Sequence, residues 1–448
     1  MMHLRGNAAW GAVLGFVLLA AGVARAETLE ANPGNYRELI PRLKPGDTLK
    51  LAAGQYKDQL RLKELNGEEG KPIVVTGPEG GAPAVFTAMA GRNTVEISAC
   101  SHVTLRSVKI DGLKLDDPIA IRLKGGGHHI ALENLTIVST TIGVEMAMGR
   151  YWDCAVRGCT IRETRTGMYI GQWQGKDPFA RLVVENNLIE DPTGYCAQFK
   201  PQLTRPEDMP EGPNIIRNNV FVKTRNAGFG ELSSPGGRPC LNINPVPASG
   251  RGSSDMYLIY GNVFYQNNMN DALFQGAGNI ALYNNLFVNE LGSTDAINFQ
   301  QHVNGKIRKL WVFNNTVVCK GTGIHVGGSE DRDLHVFGNA VFAGKPLALS
   351  ANVKATDNLT GAYQDADASL NAPFAKIGEL DLFPKAGKLA IAKDLDWSGV
   401  REFSGWDLDF NGVRREKPFH GAYAGEGQNP GWKLELGIKK PAASKGAK

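Results

Sequence analysis

The sequence has little of what marks several common protein classes. Its 448 residues include 6 cysteines, none in paired zinc-ligand spacing, so neither a disulfide scaffold nor a zinc module is indicated. Only 21% of the residues are charged, and lysine and arginine are not concentrated within the body of the chain, which argues against a nucleic-acid partner. Beyond the N-terminus, no apolar run reaches the roughly 18 residues that span a bilayer, so we expect no membrane span.

Both ends of the chain differ in composition from the rest. Arg5, an apolar run over residues 11–22 and the sequence Ala24-Arg25-Ala26 predict a cleaved signal peptide, residues 1–26. We therefore expect export, to the periplasm or to the medium. Residues 433–448 carry five lysines among Pro, Ala and Gly, and we expect them to form a disordered tail.

An internal repeat is the strongest signal in the sequence. The 54 glycines and 23 prolines suit an all-β body rich in turns. Within it, one pattern recurs as IALENLTI, CAVRGCTI, LVVENNLI, NIIRNNVF, YLIYGNVF, IALYNNLF, LWVFNNTV and LHVFGNAV. The pattern has no helical period, and its 23- to 43-residue spacing fits one coil of a β-solenoid with about 9 to 11 coils. Its asparagines should stack in a ladder along the axis: Asn187, Asn219, Asn262, Asn285, Asn315 and Asn339.

A second family of strands lies between the repeats, in segments such as GVEMAM, GMYIGQ, YCAQFK and CLNINPV. Strict alternation predicts an inward set of Val144, Met146, Met168, Ile170, Ala197, Phe199, Leu241, Ile243, Ile297, Phe299, Ile324 and Val326. The outward set is Glu145, Tyr169, Gln198, Lys200, Asn242, Asn244, Asn298, Gln300 and His325, with Asp271 and Gln275 assigned outward despite an ambiguous parity. Because this face has amides and aromatic rings where a solvated face usually carries Lys and Glu, it suits hydroxyl-rich ligands, and a polysaccharide or oligosaccharide is the expected partner.

The ends of a solenoid need covers that block edge pairing. Residues 36–43 form a short amphipathic segment that predicts an N-terminal capping helix, so the capped solenoid spans residues 27–350. Residues 351–432 lose the repeat but keep apolar residues, and we expect this irregular segment to pack back along the solenoid. Cys196 and Cys240 fall on successive coils and form the one candidate disulfide. We expect a monomer.

The opening segments KPGDTLKLAAGQY, residues 44–56, and KPIVVTGP, residues 71–78, carry a family resemblance. With the repeat, they resemble the right-handed parallel β-helix proteins of the pectin-lyase-like superfamily, and they are similar to the start of its alginate lyase and chondroitinase branch. The resemblance implies an all-β, single-solenoid fold. In that branch a Lys base and an Arg acid face a calcium ion held by paired acidic residues. Lys200 and Arg238 match the first two, whereas no Glu-x-Glu stands beside them, so Ca²⁺ stays open as a cofactor.

Three functions fit these residues. The leading hypothesis is a lyase that cleaves a uronic-acid-containing polysaccharide by β-elimination, with Lys200, Arg238 and His302 as catalytic residues. Its substrate would bind the outward residues, with Tyr169 and Trp173 stacking on sugar rings. The first alternative is a non-catalytic carbohydrate-binding or structural solenoid. The second is a glycoside hydrolase using Asp271 and Asp295, or a uronate epimerase.

Two long inserts predict where the walls of a site would lie. The coil between Asn219 and Asn262 is the longest in the repeat, and residues 200–213 enlarge the coil before it. Loops that project from a rigid scaffold are where binding and catalytic sites are usually built. We therefore expect the site beside these two coils.

Overall fold

A computed structural model of the chain describes residues 26–225, 237–291, 294–300, 305–328 and 333–440. The predicted all-β fold is confirmed: the chain forms a right-handed parallel β-helix of about 10 turns. In the described part of the chain, 34 strands join one continuous parallel sheet that winds around a single apolar core. Each coil contributes one strand to each of three faces, which we call sheets 1, 2 and 3.

Sheet 1 follows the asparagine turn of each coil. Its strands are Gly54–Tyr56, Ala84–Thr87, Val108–Asp111, Thr136–Val138, Thr160–Arg162, Leu188–Glu190, Val220–Lys223, Val263–Asn267, Leu286–Asn289, the first parts of Thr316–Val326 and Ala340–Leu349, and Leu359–Gly361.

Sheet 2 follows sheet 1 in each coil. Its strands are Leu60–Lys63, the first parts of Val95–Arg106 and Ile119–Glu133, Ile142–Met146, Thr166–Ile170, Ala197–Phe199, Leu241–Ile243, Phe274–Gly276, Ile297–Phe299, and the last parts of Thr316–Val326 and Ala340–Leu349.

Sheet 3 closes each coil. Its strands are Thr28–Ala31, Thr48–Leu51, Ile73–Thr76, the last parts of Val95–Arg106 and Ile119–Glu133, Ala155–Arg157, Val183–Glu185, Asn214–Arg217, Tyr257–Tyr260, Gly278–Tyr283, Ile307–Phe313, Asp333–Phe337 and Lys354–Thr356. Tyr151–Trp152 and Phe179–Ala180 are short strands at the corner between sheets 2 and 3.

The asparagine ladder lies at the turn between sheets 3 and 1. In each rung, the side-chain amide Nδ2 donates to the Oδ1 of the asparagine on the next coil at 2.8 to 3.0 Å, from Asn187 to Asn339. The same Oδ1 atoms accept backbone N–H groups, so the buried amides are satisfied within the column. The ladder extends one coil further than predicted, to Asn358.

Alternation along sheet 2 places its side chains as predicted. All twelve residues of the predicted inward set are buried. Gln275 pairs with Asn242 on one side and with Asn298 on the other, which fixes it on the outer face. Strand pairing therefore resolves the parity that the sequence left ambiguous.

The N-terminus of the solenoid is covered by the helix Tyr36–Leu39 and the 3₁₀ helix Ile40–Arg42. Tyr36 is buried, and its ring lies edge-on to the ring of Tyr56 at 5.2 Å between centroids. This cover is short. The capping helix predicted over residues 36–43 consists of one α-helical turn followed directly by one 3₁₀ turn.

The C-terminal segment packs on two of the three faces. It holds the 3₁₀ helix Tyr363–Asp365, the helix Ala366–Ser369 and the antiparallel strands Leu370–Ala372 and Asp381–Pro384. Its apolar residues bury the outer side of sheet 1 and part of the outer side of sheet 3. This covering explains why strands such as YLIY and IALY are apolar on both faces.

The packed chain continues beyond Trp432, where we expected a disordered tail to begin. Leu434 is buried against sheet 1, and Lys439 donates to Asn218 Oδ1 at 3.1 Å, to the Gly261 carbonyl at 2.9 Å and to the Phe410 carbonyl at 2.7 Å. Composition alone did not indicate this packing. Residues 441–448 lie outside the described part of the chain.

The six cysteines are all buried free thiols, so the candidate disulfide between Cys196 and Cys240 is not formed. The two residues do sit at equivalent positions on successive coils, because Ala197 pairs with Leu241. Each thiol faces a core carbonyl, and burial raises the pKa of Cys196 well above its usual value. Both cysteines thus pack as small apolar side chains.

Candidate functional site

The outer face of sheet 2 is the face that the C-terminal segment leaves uncovered by its two apolar clusters. One column of outward side chains runs along it, one per coil, in strand register. The column is Arg61, Glu96, Arg122, Glu145, Tyr169, Gln198, Asn242, Gln275, Asn298 and His325.

The first half of this column is charged, whereas we expected a polar face that is poor in Lys and Glu. Arg122 Nε lies 2.7 Å from Glu145 Oε2, and Lys124 Nζ lies 3.0 Å from Glu96 Oε2. Burial raises the pKa of Glu145 although Arg122 opposes that shift. Glu145, predicted to bind substrate, is thus held by a cation on the preceding coil.

The second half of the column is built from amides that bond to one another. Gln198 Nε2 donates to Asn242 Oδ1 at 3.3 Å, and Asn242 Nδ2 donates to Gln275 Oε1 at 3.1 Å. Asn244 Nδ2 donates to Asn242 Oδ1 at 2.7 Å and to the Phe199 carbonyl at 2.9 Å. These bonds hold the amide side chains in fixed orientations and leave other donors and acceptors free to face a ligand.

A pocket of about 170 Å³ opens over these amides. It is lined by Tyr195, Gln198, Lys200, Asn242, Ile243, Asn244, Gln275, Gly276, Ala277 and Gln300. Six of these residues come from the predicted outward set. Tyr195 was missed because it lies in the turn before the strand Ala197–Phe199, where alternation does not apply.

Lys200 is the one cationic side chain among the described residues that line this pocket. Burial, with a smaller contribution from the positive charge of Arg238, lowers its pKa to about 8. Its Nζ lies 4.8 Å from the centre of the Tyr169 ring. A lysine with a pKa near 8 is partly neutral at mildly basic pH, which is the state that a general base requires.

Two tyrosines and Arg238 complete the surroundings of Lys200. Burial raises the pKa of Tyr169 to about 12, with smaller contributions from Glu145 and Tyr195. The guanidinium carbon of Arg238 lies 5.8 Å from the centre of the Tyr195 ring, and burial also raises the pKa of Tyr195. Both phenols are therefore protonated at the pH at which Lys200 begins to lose its proton.

Asp271 and Asp295 lie in the turns that precede the strands Phe274–Gly276 and Ile297–Phe299. His325 Nδ1 lies 2.9 Å from Asp295 Oδ2 and 3.4 Å from Gln300 Nε2. Burial raises the pKa of Asp271, and the charge of Asp295 acts in the same direction. None of the described residues that line the pocket is acidic, so this donor set does not fit the calcium ion that the resemblance implies.

Several predicted residues lie apart from the pocket or outside the described chain. Trp173 is 64% exposed on the loop after the strand Thr166–Ile170 and is absent from the pocket lining. Asn298 and His325 continue the column on the next two coils beyond Gln275. His302 lies outside the described residues, as does the segment 226–236 of the longest coil.

A buried ion pair joins the two loops that follow sheet 2 in the pocket coils. Arg205 Nη1 pairs with Asp255 Oδ2, and their side chains are 0% and 4% exposed. Arg205 Nη2 also donates to the Phe179 carbonyl at 3.1 Å and to Gln202 Oε1 at 3.0 Å. The inserts predicted as site walls are thus fixed to one another, a link that the sequence did not reveal.

A larger cleft of about 740 Å³ lies at the first coils, at the charged end of the column. Four arginines line it, namely Arg37, Arg61, Arg92 and Arg122, together with Asp58, Glu96 and Asp117. Arg37 and Arg61 pair with Asp58 and Glu96 at 3.2 and 3.4 Å. These ion pairs neutralise part of the charge that the arginines bring to the cleft. We therefore place the candidate site at the smaller amide pocket, where Lys200 lies.

A scan of protein-family models and a search of curated proteins gave no match. Solved structures do match. The alginate lyase from Paenibacillus sp. str. FPU-7 is 14% identical, with 75% of this chain and 99% of that chain covered and a TM-score of 0.44. Pectate lyase Pel9A is 12% identical over 92% of each chain, with a TM-score of 0.47. The GH136 lacto-N-biosidase from Eubacterium ramulus is 11% identical over 75% of this chain and 68% of that chain, with a TM-score of 0.46.

The coil architecture is a right-handed parallel β-helix, which is the fold that the sequence predicted. At such low identities the likeness concerns the fold and says nothing of the activity. Among the described residues there is no helix of the length and apolarity that a membrane crossing requires.

Proposed function

We propose that the protein is an exported lyase that cleaves a uronic-acid-containing polysaccharide by β-elimination at the amide pocket on sheet 2. The observation that carries the proposal is Lys200, whose pKa is lowered to about 8, chiefly by burial, beside a pocket lining that includes five amide side chains. A perturbed titratable group in a concave site marks a candidate catalytic residue.

The reaction needs a base, an acid and a countercharge, and the pocket and the residues beside it offer a candidate for each. Neutral Lys200 would take the proton from C5 of the uronate, the C–H electron pair would form the C4=C5 double bond, and the C4–O bond would break. The leaving oxygen would take a proton from Tyr169 or Tyr195, whose raised pKa values keep both phenols protonated. Arg238 is the countercharge for the uronate carboxylate.

The amide column would position the sugar chain. Gln198, Asn242 and Gln275 repeat one per coil, so they offer donors and acceptors at regular intervals along the axis of the solenoid. Such a row suits a linear polymer of hydroxylated rings that lies parallel to that axis. The exposed ring of Trp173, on a loop beside this face, is available for stacking on a sugar.

A glycoside hydrolase is the second candidate, because burial raises the pKa of Asp271 and so favours the protonated form that a general acid needs. Asp295 would be the second carboxylate, although it is paired with His325. Replacing both residues by Asn should abolish release of reducing ends if they are catalytic. Unchanged release would exclude this pair.

The test is to incubate the mature protein with alginate, pectate and glycosaminoglycans and to follow unsaturated uronates by their absorbance near about 235 nm. A β-eliminating lyase gives this absorbance with at least one of these polymers. Reducing ends without absorbance would favour the hydrolase. Binding to a glycan array without any product would instead support the non-catalytic alternative, and it would refute the lyase.

A further inference from the structure

Three histidines meet at the corner between sheets 2 and 3, on the N-terminal side of the amide pocket. Each of His102, His128 and His129 offers a ring nitrogen, and these atoms all lie within 4.8 Å of one another. His128 Nδ1 is 2.9 Å from His129 Nδ1. The rings of His102 and His129 stack with their centroids 4.3 Å apart. The pocket on sheet 2 includes none of the three.

Backbone conformation brings these side chains together. His102 and His129 have φ values of 51° and 53°, in the left-handed region that residues other than Gly and Asn seldom adopt. Ser101 pairs with His128 and Val103 with Ile130, so His102 and His129 hold equivalent corner positions on successive coils. The left-handed turn interrupts the strand alternation, which lets the consecutive His128 and His129 project to the same side.

The next coil supplies a carboxylate and an aromatic ring behind the histidines. Asp153 Oδ2 lies 3.7 Å from His129 Nε2, and the same carboxylate pairs with Arg181 one coil further on. The Trp152 ring stacks on the His128 ring at 4.7 Å between centroids. A carboxylate behind a histidine is the arrangement that orients imidazole ligands at metal sites.

Access from solvent also suits an ion, because none of the three histidines is fully buried. A cleft of about 460 Å³, lined by His128, Trp152 and Arg150 among others, opens beside the cluster. An ion can therefore reach the ring nitrogens from solvent.

We propose that His102, His128 and His129 form a binding site for one divalent transition-metal ion of the kind that prefers imidazole, such as Zn²⁺, Co²⁺ or Ni²⁺. Metal–nitrogen bonds of about 2.0–2.1 Å place tetrahedral ligand atoms roughly 3.4 Å apart, so the cluster needs only small side-chain rotations to close on an ion. Three imidazoles leave one position for water or another ligand. Ca²⁺ and Mg²⁺ do not fit, because they prefer oxygen ligands.

The site would join two successive coils through His102 on one and the His128–His129 pair on the next. It goes beyond the proposed lyase, since none of its residues takes part in that chemistry. Its presence or absence can be measured without any glycan.

The test is a metal titration of the full mature chain, purified without a polyhistidine tag and stripped with a chelator. Isothermal calorimetry with Zn²⁺ and the visible spectrum of bound Co²⁺ should both show one saturable equivalent. His102→Asn and His129→Asn should each weaken binding by at least about tenfold, because Asn tolerates the left-handed backbone but is a poor ligand for these ions.

The matched control is His335→Asn, which removes a histidine from a distant coil of the same solenoid. It should bind Zn²⁺ as the wild type does. His128→Gln adds a variant at a position without a positive φ, and circular dichroism checks that each variant is folded. The proposal is overturned if the wild type shows no saturable binding, or if folded His128→Gln and His129→Asn bind like His335→Asn.

Discussion

Replacing Asn262 by Ala removes one rung from the middle of the asparagine ladder. Asn262 is fully buried; its Oδ1 accepts the Asn219 N–H at 2.9 Å, and its Nδ2 donates to the Ile216 carbonyl at 2.9 Å. Both backbone groups lose these bonds in the variant. Since each buried polar group without a partner costs about 1–3 kcal/mol, we expect the free energy of unfolding to fall by about 2–6 kcal/mol.

Asn358 provides the matched control, because it is the last rung and is partly exposed. Water can replace the bonds that Asn358→Ala removes, so we expect a loss of about 1 kcal/mol or less. Guanidinium unfolding followed by circular dichroism measures both variants against the wild type. The reasoning is refuted if Asn262→Ala lies within about 0.5 kcal/mol of the wild type, or if it is no more destabilising than Asn358→Ala.

Three further predictions concern the loops and the ends of the chain. Arg205→Met leaves the Asp255 carboxylate buried without its cationic partner and should lower the free energy of unfolding by about 3–5 kcal/mol. The double variant Arg205→Met/Asp255→Leu should recover part of this loss. Equal stability of Arg205→Met and the wild type would contradict the prediction. Burial lowers the pKa of Lys439 to about 7, whereas the pKa of an unfolded lysine is about 10.4. Between these two pH values the unfolded chain binds more protons than the folded chain. The free energy of unfolding should therefore rise with pH by up to about 1.4 kcal/mol per pH unit in this range. Denaturation at about pH 7 and about pH 9 should show this rise in the wild type and a smaller rise in Lys439→Met, where Lys200, whose pKa is lowered to about 8, still contributes. If the expected signal peptide is cleaved after Ala26, N-terminal sequencing of exported protein should begin at Glu27, and an intact N-terminus would argue against export.

Much of the fold could be predicted because each coil of a solenoid repeats the same pattern of strands and turns. Apolar alternation marks the strands of each coil, and the recurring asparagine marks one of its turns. Because the asparagines of successive coils stack, the hydrogen bonds of the ladder could also be predicted. Asn358 was missed because its flanking residues, in the segment KATDNLTG, lack the apolar pattern of the earlier copies. The packing of Lys439 was missed because a lysine-rich composition indicates solvation unless a buried acceptor site is known.

The site could be predicted only where it follows strand alternation. Gln198, Asn242 and Gln275 were found in this way, whereas Tyr195 lies in a turn and gives no periodic signal. The ion pair between Arg122 and Glu145 depends on the register between coils, and so does the cluster around His129. A search for histidines one coil apart would have found that cluster.

The most direct test of the proposed function is the pH dependence of kcat/KM for release of unsaturated uronate. With Lys200 as base, kcat/KM should rise with pH through a group of pKa about 8. Lys200→Met should lower kcat by about 100-fold to 10,000-fold with its thermal stability retained, while Lys345→Met, at an exposed position, should match the wild type. Unchanged turnover in folded Lys200→Met, or a profile without a rise near pH 8, would contradict the account.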